Sequence, residues 1–317
     1  MADIYLHSRL SEEVIKKLTY DFDKGLVYLG AQGPDPLYYN FFSKEAGEYR
    51  KYANLMHDKD TGLLFKNMTD YVKDNLSVDS FSFLTGFICH YALDVKIHPY
   101  VYHKVGVYKE SDPITHPWRG LHLKFERSID AAVIEEDTGQ KSRKINLATK
   151  QYPLRSPSLE IMKVMDYVLK ETYDKDNGGV MYLVSNVEMR KNLKRFVKDK
   201  YGFKKIFLSI IDLFNKKHDL FFKDMSMFHH IDTKYDFLNK EKNVWHHPVT
   251  NEEYNYSVME IYDQAVKFAS DMIEKVMLYL FEDEDIDLSR VFTNLSFNTG
   301  INCDHEEEMK YFNIYRK

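Results

Sequence analysis

The stretch Gly86-Phe-Ile-Cys-His-Tyr-Ala-Leu-Asp94, which continues to His98, decides the fold of this chain. Most of its residues are apolar, and the pattern predicts a buried helix over residues 81–98. His90 and Asp94 are four residues apart, so their side chains project from the same face of that helix. Burial of such a pair is costly unless a hydrogen-bonding partner or a metal ion satisfies it.

Periodic apolar segments separated by short polar turns extend this pattern along the chain. They predict an all-α fold of eight or nine helices in a single domain, residues 1–317, without convincing β-alternation. The predicted helices cover residues 12–19, 44–56, 61–75, 81–98, 118–136, 158–173, 187–200, 204–222 and 252–281. We interpret the polar stretch 138–157 as a connector in preference to a mobile lid.

The composition agrees with a helical protein that has a sizeable core. Of the 317 residues, 44% are hydrophobic, and only 13 are Gly and 8 are Pro, which argues against turn-rich sandwiches and barrels. The net charge of -5 gives no general attraction to nucleic acids or other polyanions.

The sequence favours a cytoplasmic location. Cys89 and Cys303 form no disulfide framework, which indicates a reducing compartment. The amino terminus lacks a basic segment followed by a long apolar stretch, so we expect no secretory signal, and secretion would require a leader that has been removed. No window is apolar enough to cross a bilayer.

The first 126 residues contain a series of metal-ligand residue types: His7, Asp35, His57, His90, Asp94, His98, His122 and Glu126. Imidazoles and carboxylates without thiolates suit Zn²⁺ or another borderline divalent ion. His122 and Glu126 form a second pair at i,i+4, although either pair alone is more often an ordinary hydrogen-bonded pair. Two pairs on adjacent helices, in a chain that also has Gly33-Pro34-Asp35-Pro36 and an isolated His57, favour a shared metal site.

These residues resemble the ligand set of the zinc-dependent phospholipase C and single-strand nuclease superfamily. The resemblance is carried, in order, by Leu29-Gly-Ala-Gln-Gly-Pro-Asp35, His57, the stretch that starts at Gly86, His98-Pro99 and His122-x-x-x-Glu126. It implies an all-helical fold of the phospholipase C type with zinc ions in a cleft, where a metal-bound hydroxide attacks a phosphodiester. The final Glu looks like the phospholipase branch, because the nuclease branch tends to end in Asp.

The resemblance also implies which residues hold which ion. The first zinc is expected on Asp35, His57, His90 and Asp94, and the second on His98, His122 and Glu126. Asp94 is expected to bridge to a third ion that His7 also holds. Secreted relatives complete that third site with an amino-terminal Trp, and this chain has Met1-Ala2-Asp3 there. We therefore predict two or three zinc ions, with the Ala2 amine or Asp3 as the hypothetical replacement ligand.

The ligand that follows Asp94 is open to three candidates. His98 is preferred over His103 and His116, because it continues the stripe of His90 and Asp94 before Pro99, which we expect to end the helix.

Paired divalent ions lower the pKa of a bound water and neutralise phosphate oxygens. Asp35 is the candidate catalytic residue, since a carboxylate can hold an ion and accept a proton. The favoured function is a zinc-dependent, phospholipase C-like hydrolase that acts on a lipid or another small phosphodiester. A single-strand nuclease or nucleotidase with the same metals is less favoured, and a non-catalytic protein stabilised by zinc is the third hypothesis. The oligomeric state cannot be predicted from these residues.

Three other patterns have weaker functional interpretations. His229-His230 and Trp245-His246-His247-Pro248 could form a second metal patch or line the cleft, but such doublets are more often solvated. The basic stretch 190–205 could meet phosphate or anionic lipid, but a solvated helix flank is the favoured interpretation. Tyr38, Tyr39 and Phe41 could stack on a base or choline, but core packing is favoured.

Overall fold

A long apolar helix lies at the centre of the fold. This helix, α5 (Val78–Val105), is buried along most of its length, as the sequence predicts. It begins with a capping box, in which the hydroxyls of Ser77 and Ser80 each accept a hydrogen bond from the other residue's amide. The prediction that Pro99 ends the helix is wrong, because the helix continues to Val105. A proline removes one backbone hydrogen bond, and burial of the turns on both sides offsets that loss.

The structure is a computed structural model that describes residues 4–41, 43–147, 151–215, 220–228, 235–282, 284–305 and 308–315. Within these residues, the other α-helices are α1 (Ile4–Ile15), α2 (Lys24–Gly30), α3 (Ala46–Asp58), α4 (Thr61–Asp74), α6 (Leu121–Thr138), α7 (Leu159–Tyr173), α8 (Gly178–Asn192), α9 (Phe203–Asp212), α10 (Val258–Phe281) and α11 (Leu288–Val291). Strands β1 (Trp245–His246) and β2 (Glu253–Tyr254) form one short antiparallel hairpin. The all-α prediction is confirmed, and the hairpin is a small addition to it.

Helices α2 and α5 cross with their backbones in direct contact. A Cβ on Gly30 would lie 2.2 Å from the carbonyl oxygen of Phe83, and one on Gly86 would lie 2.1 Å from that of Val27. Any side chain at either position would force the helices apart. The contact brings the turn after α2 against α5, where a Cβ on Gly33 would overlap the imidazole of His90.

Helix α1 starts earlier than its sequence pattern predicts. The predicted helix covers residues 12–19, whereas α1 spans Ile4–Ile15. Its first turn is held by Asp130 of α6, whose carboxylate accepts hydrogen bonds from the amides of Tyr5 and Leu6 at 2.8 and 3.1 Å. A carboxylate at a helix amino terminus satisfies free N–H groups and interacts favourably with the helix dipole. Because this cap comes from a distant part of the chain, no local start signal marks the helix.

Other helix boundaries also differ from the predictions. α2 and α11 are short helices that the periodicity does not predict. The predicted helix 187–200 begins earlier, at Gly178 of α8, and a π-helical segment (Leu193–Val197) continues α8. α9 ends at Asp212 instead of residue 222. α10 begins after Ser257, which forms a capping box with Glu260, because the preceding residues belong to the β hairpin.

The polar stretch 138–157 is packed on the body in its described part. Leu147, Tyr152 and Leu154 are all buried, and the Tyr152 ring contacts those of Tyr5 and Tyr28. This packing agrees with the interpretation as a connector. None of the helices in the described residues combines the length and apolar character that a bilayer span requires.

Candidate metal centre

Helix α5 presents three polar side chains on successive turns of one face. His90, Asp94 and His98 are each 0% exposed. The Nε2 atom of His90 lies 3.0 Å from Oδ2 of Asp94, and that of His98 lies 3.6 Å from Oδ1. The i,i+4 spacing of the sequence therefore places Asp94 between two imidazoles.

Side chains from other elements complete the surroundings of Asp94. His7 of α1 places Nε2 3.3 Å from Oδ1, and His57 at the end of α3 places Nε2 3.8 Å from Oδ2. Asp35, which follows the turn after α2, has Oδ1 3.5 Å from Nε2 of His57. Asp94 thus directs one oxygen toward His7 and His98 and the other toward His57 and His90, an arrangement that suits a bridging carboxylate.

Helix α6 adds the last two predicted residues. Oε1 of Glu126 lies 3.0 Å from Nε2 of His122 and 3.1 Å from Nε2 of His98. The structure therefore brings all eight predicted residues into one cluster. Within it, three groups have potential ligand atoms no more than 4.8 Å apart: His7, His90 and Asp94; Asp35, His57 and His90; and His98, His122 and Glu126. Which side chains share an ion stays a prediction.

Three of the imidazoles are held in one tautomer by the backbone. His57, His90 and His98 each donate from Nδ1 to a carbonyl oxygen, so that Nε2 of the neutral ring carries the lone pair. The acceptors are the carbonyl oxygens of Ala53, Ala31 and Phe297, at 2.7, 3.1 and 2.9 Å. Backbone carbonyls that orient imidazoles in this way are typical of metal sites.

The facing atoms require a cation between them. Neutral His90 directs its Nε2 lone pair at a carboxylate oxygen of Asp94, and the two groups repel each other unless a proton or a metal ion lies between them. Among the described residues, Nε2 of His90, both oxygens of Asp94 and both ring nitrogens of His7 are buried without a hydrogen-bond partner. Two ligands about 2.1 Å from one tetrahedral zinc lie roughly 3.4 Å apart. The observed separations of 3.0 to 3.8 Å fit zinc.

Electrostatics favour metal-binding protonation states in the carboxyl groups and in two of the imidazoles. At His90, burial acts to lower the pKa, but the charges of Asp94 and Asp35 outweigh it and raise the pKa. Burial acts to raise the pKa of Asp94 and Glu126, but the surrounding imidazoles outweigh it and hold both pKa values well below the ordinary range. Burial lowers the pKa of His7 and of His122. The carboxyl groups are therefore anionic and these two imidazoles neutral near pH 7, as metal ligands must be.

A cleft of about 290 Å³ opens onto one side of the cluster. His57 and His122 lie in its wall, and Arg50 is the one Lys, Arg, Asp or Glu among the described residues that line it. Tyr38, Phe41, Tyr102, Tyr108 and Trp118 supply aromatic surface. A larger cavity of about 740 Å³ adjoins this cleft, and none of the eight cluster residues is among the described residues that line it.

The aromatic residues after Asp35 divide between core and cleft. Tyr39 is buried in the core, as the favoured interpretation predicts. Tyr38 and Phe41 are half-buried and line the cleft, so core packing alone does not describe them.

The competing histidines lie elsewhere. His103 donates from Nδ1 to the carbonyl oxygen of Tyr311, and exposed His116 donates to that of Glu110. His98, by contrast, lies within the cluster. His246 is half-buried, and His247 is buried and hydrogen-bonded to the carbonyl oxygen of Thr299, so the solvated interpretation is wrong for His247.

Some predicted features fall outside the described residues. These are the Ala2 amine and Asp3, proposed for a third ion, and the His229-His230 doublet.

Phe297 and Arg50 also contribute to the site, and no sequence pattern indicates either residue. The carbonyl of Phe297 binds His98, its amide donates to the carbonyl of His57 at 2.8 Å, and its ring packs 5.1 Å from the His57 ring. A backbone carbonyl has no sequence signal. Arg50 lies in the polar helix α3, and its sequence context does not distinguish it from a solvent-exposed arginine.

Comparison with known proteins adds one match. The family described as zinc dependent phospholipase C matches residues 6–175, just over half of the chain. These residues contain all eight members of the cluster. No curated protein and no solved structure matches the sequence.

Proposed function

The chain belongs to the zinc-dependent phospholipase C family, and from this membership we propose that it is a zinc-dependent hydrolase that cleaves phosphodiesters in the manner of a phospholipase C. The observation that carries the proposal is the buried cluster in which imidazole lone pairs face the carboxylates of Asp94 and Glu126. We propose the eight clustered residues as the ligands of two or three zinc ions.

Exposure of one ligand group favours catalysis over a purely structural role. The side chain of His122 is 28% exposed and lines the cleft, whereas those of His98 and Glu126 are each 1% exposed. This group offers three protein ligands, the number in catalytic zinc sites that leave one position for water or substrate. A protein in which zinc only holds helices together has no need of such an opening.

The residues around the cleft suit an anionic substrate. Zinc in such a centre polarises a phosphoryl oxygen and lowers the pKa of a bound water. Asp35 is proposed to hold an ion and to accept a proton. Arg50 is proposed to bind the phosphate through its guanidinium, which forms paired hydrogen bonds to phosphate oxygens. The aromatic wall is proposed to contact the organic part of the substrate and exclude water.

The size of the cleft favours a small substrate over a nucleic acid. A volume of about 290 Å³ is near the lower end of small-molecule pockets, about 300–1,000 Å³. Domains that bind single strands contact roughly 4–16 nucleotides. We therefore favour a lipid headgroup or another small organic phosphodiester over single-stranded DNA or RNA.

Two further properties of the chain are proposed. Buried residues from α1 through α11 belong to one hydrophobic cluster, which supports a single domain of residues 1–317. Cys89 and Cys303 are both free, which supports work in a reducing compartment such as the cytoplasm.

The test combines metal analysis with hydrolysis assays. Protein purified without chelators is assayed for zinc, and its rates are measured on nitrophenyl phosphocholine, dispersed phosphatidylcholine and single-stranded DNA. We expect two or three zinc ions per chain, with faster cleavage of the first two substrates than of DNA. A stoichiometry of two would count against the roles proposed for Ala2 and Asp3.

Glu126→Gln is expected to lose zinc and to lower turnover more than about 100-fold, because it removes a charged ligand from the exposed group. His116→Ala is the matched control, since His116 is exposed and lies outside the cluster. Full turnover in Glu126→Gln would refute the proposal. Faster cleavage of single-stranded DNA than of the two phosphocholine substrates would favour the nuclease alternative.

A further inference from the structure

Helix α9 turns its apolar face toward solvent instead of the core. Of its ten residues only Leu208 is buried. The exposed apolar side chains on α9 and just after it have 54–82% of their surface accessible, and they are Phe203, Ile206, Phe207, Ile210, Leu213 and Phe214. Their spacing follows one stripe of a helix, which we call the outer face of α9. Single exposed apolar residues are ordinary, but a continuous stripe of six marks an interaction surface.

The outward orientation of α9 is fixed by polar contacts at both ends. The buried carboxylate of Asp199 caps the start of α9 by accepting from the amides of Gly202 and Lys205, and it also accepts a hydrogen bond from the Ser226 hydroxyl at 2.9 Å. At the other end, Asp212 accepts from the amides of Phe222 and Lys223 at 2.7 and 2.9 Å. The helix is therefore attached to the neighbouring segment 222–226, and the exposure of its outer face does not arise because α9 is detached.

Exposed positive charge immediately precedes α9 along the chain. Residues 194–205 contain six basic residues and one acidic residue, in a chain whose net charge is -5. Lys194, Arg195, Lys198 and Lys200 are exposed, and the one acidic residue, Asp199, is buried. The pattern of an apolar stripe beside exposed cations is that of a helix that lies in the plane of a membrane surface.

We propose that the outer face of α9 docks onto an anionic lipid bilayer. The apolar side chains enter the boundary between headgroups and acyl chains, and the neighbouring cations meet anionic lipid phosphates. Charge complementarity favours this partner over a second copy of the chain, because two copies joined through α9 would bring their basic segments together.

The position of the outer face relative to the cleft links docking to the substrate. Asn215, just past α9, donates from its side chain to the carbonyl oxygen of Leu220 at 3.2 Å and accepts a hydrogen bond from Arg119. Leu220 lines the cleft. The carboxyl-terminal end of α9 therefore lies beside the cleft wall. If the proposed function holds, the substrate class is a membrane phospholipid, and this part of the inference rests on that function.

The test measures binding to vesicles separately from turnover. Zinc-loaded full-length protein is sedimented with vesicles of phosphatidylcholine, alone or mixed with phosphatidylglycerol. The variant carries Phe203→Ser, Phe207→Ser and Ile210→Ser, all at exposed positions. The matched control carries Ile114→Ser, Leu159→Ser and Val180→Ser, which are also exposed apolar positions but lie elsewhere.

Wild type is expected to bind mixed vesicles, and to bind less at high salt or without the anionic lipid. The α9 variant is expected to lose at least about tenfold in partition coefficient, with its rate on soluble nitrophenyl phosphocholine unchanged. The control variant is expected to bind as wild type does.

Three results would overturn the docking proposal: equal binding by the α9 variant, no binding by wild type, or a wild-type dimer in sedimentation equilibrium that the α9 variant converts to monomer. The third result would assign the outer face to self-association. If the expected pattern of vesicle binding appears without hydrolysis of any phosphodiester, the docking surface is supported and the proposed function fails.

Discussion

The crossing of α2 and α5 predicts that Gly86→Ala destabilises the protein. The added methyl carbon would lie 2.1 Å from the carbonyl oxygen of Val27 and 2.8 Å from the amide nitrogen of Ala31. Both neighbours are backbone atoms that no rotamer change can move aside. To restore a contact of about 3.4 Å, α2 must retreat by roughly 1.3 Å.

The expected cost follows from two opposing effects. Overpacking of a core costs typically about 1–3 kcal/mol, and the upper value applies to a clash between two backbones. Replacement of Gly by Ala within a helix stabilises the folded state by about 1 kcal/mol through helix propensity. The net loss of unfolding free energy is about 2 kcal/mol, which for a domain of this length lowers the midpoint of thermal unfolding by roughly 3 °C.

The same displacement reaches the metal centre. The carbonyl of Ala31 orients His90 through a hydrogen bond of 3.1 Å, and a retreat of α2 lengthens it. Zinc affinity is therefore expected to fall by about 10–100-fold, as when other groups that orient ligands are lost. Calorimetry gives the midpoint, and zinc titration with a competing chelator gives the affinity.

The matched control is Gly47→Ala in α3. A Cβ on Gly47 meets nothing within 4 Å, so alanine there is expected to stabilise the protein by about 0.5–1 kcal/mol without an effect on zinc. A midpoint for Gly86→Ala equal to or above that of wild type would refute the argument from the close crossing.

Three other outcomes follow from single residues. Arg50→Met is expected to lower kcat/KM about 10–100-fold with zinc content unchanged, because it removes the charged group proposed to bind phosphate. Arg50→Lys should retain part of the activity, and loss of zinc in either variant would contradict the proposed role. Asp130→Ala is expected to lower the free energy of unfolding in urea by about 2–3 kcal/mol, because the first turn of α1 loses two acceptors, and an unchanged value would show that the cap is dispensable. Burial lowers the pKa of His103 from 6.5 to about 4, so the unfolded chain binds more protons between these values and stability falls on acidification through that range. His103→Gln should flatten this dependence, and a difference between wild type and variant that stays constant from pH 7 to pH 4 would argue against it.

The convergence of the cluster residues could be predicted because helix geometry is local. Spacing of four residues places His90, Asp94 and His98 on one face whatever the rest of the chain does. The apolar neighbours of His90 indicate that this face is buried. Because α5 is central, a packing contact between α6 and α5 is enough to bring the second pair, His122 and Glu126, to His98.

The remaining features depend on contacts that sequence spacing does not encode. The start of α1 is determined by Asp130, more than a hundred residues away. The tautomer of His98 depends on a backbone carbonyl, which every residue possesses. For α9 the amphipathic pattern shows that an apolar face exists but not whether it points inward or outward. An apolar helix face usually packs into the core. In this chain, the run of basic residues before α9 is the sequence feature that indicates an outward-facing surface.

The loop that carries Phe297 has a consequence for how the protein is made. The carbonyl of Phe297 orients the imidazole of His98, and its amide binds the backbone carbonyl of His57, yet Phe297 lies far beyond the matched residues 6–175. Domains fold as they leave the ribosome, so the His98 imidazole becomes fully oriented only after Phe297 has been synthesised. Zinc is therefore expected to bind stably only after Phe297 has been added to the chain, and a truncated product that stops at residue 175 should retain the ion poorly.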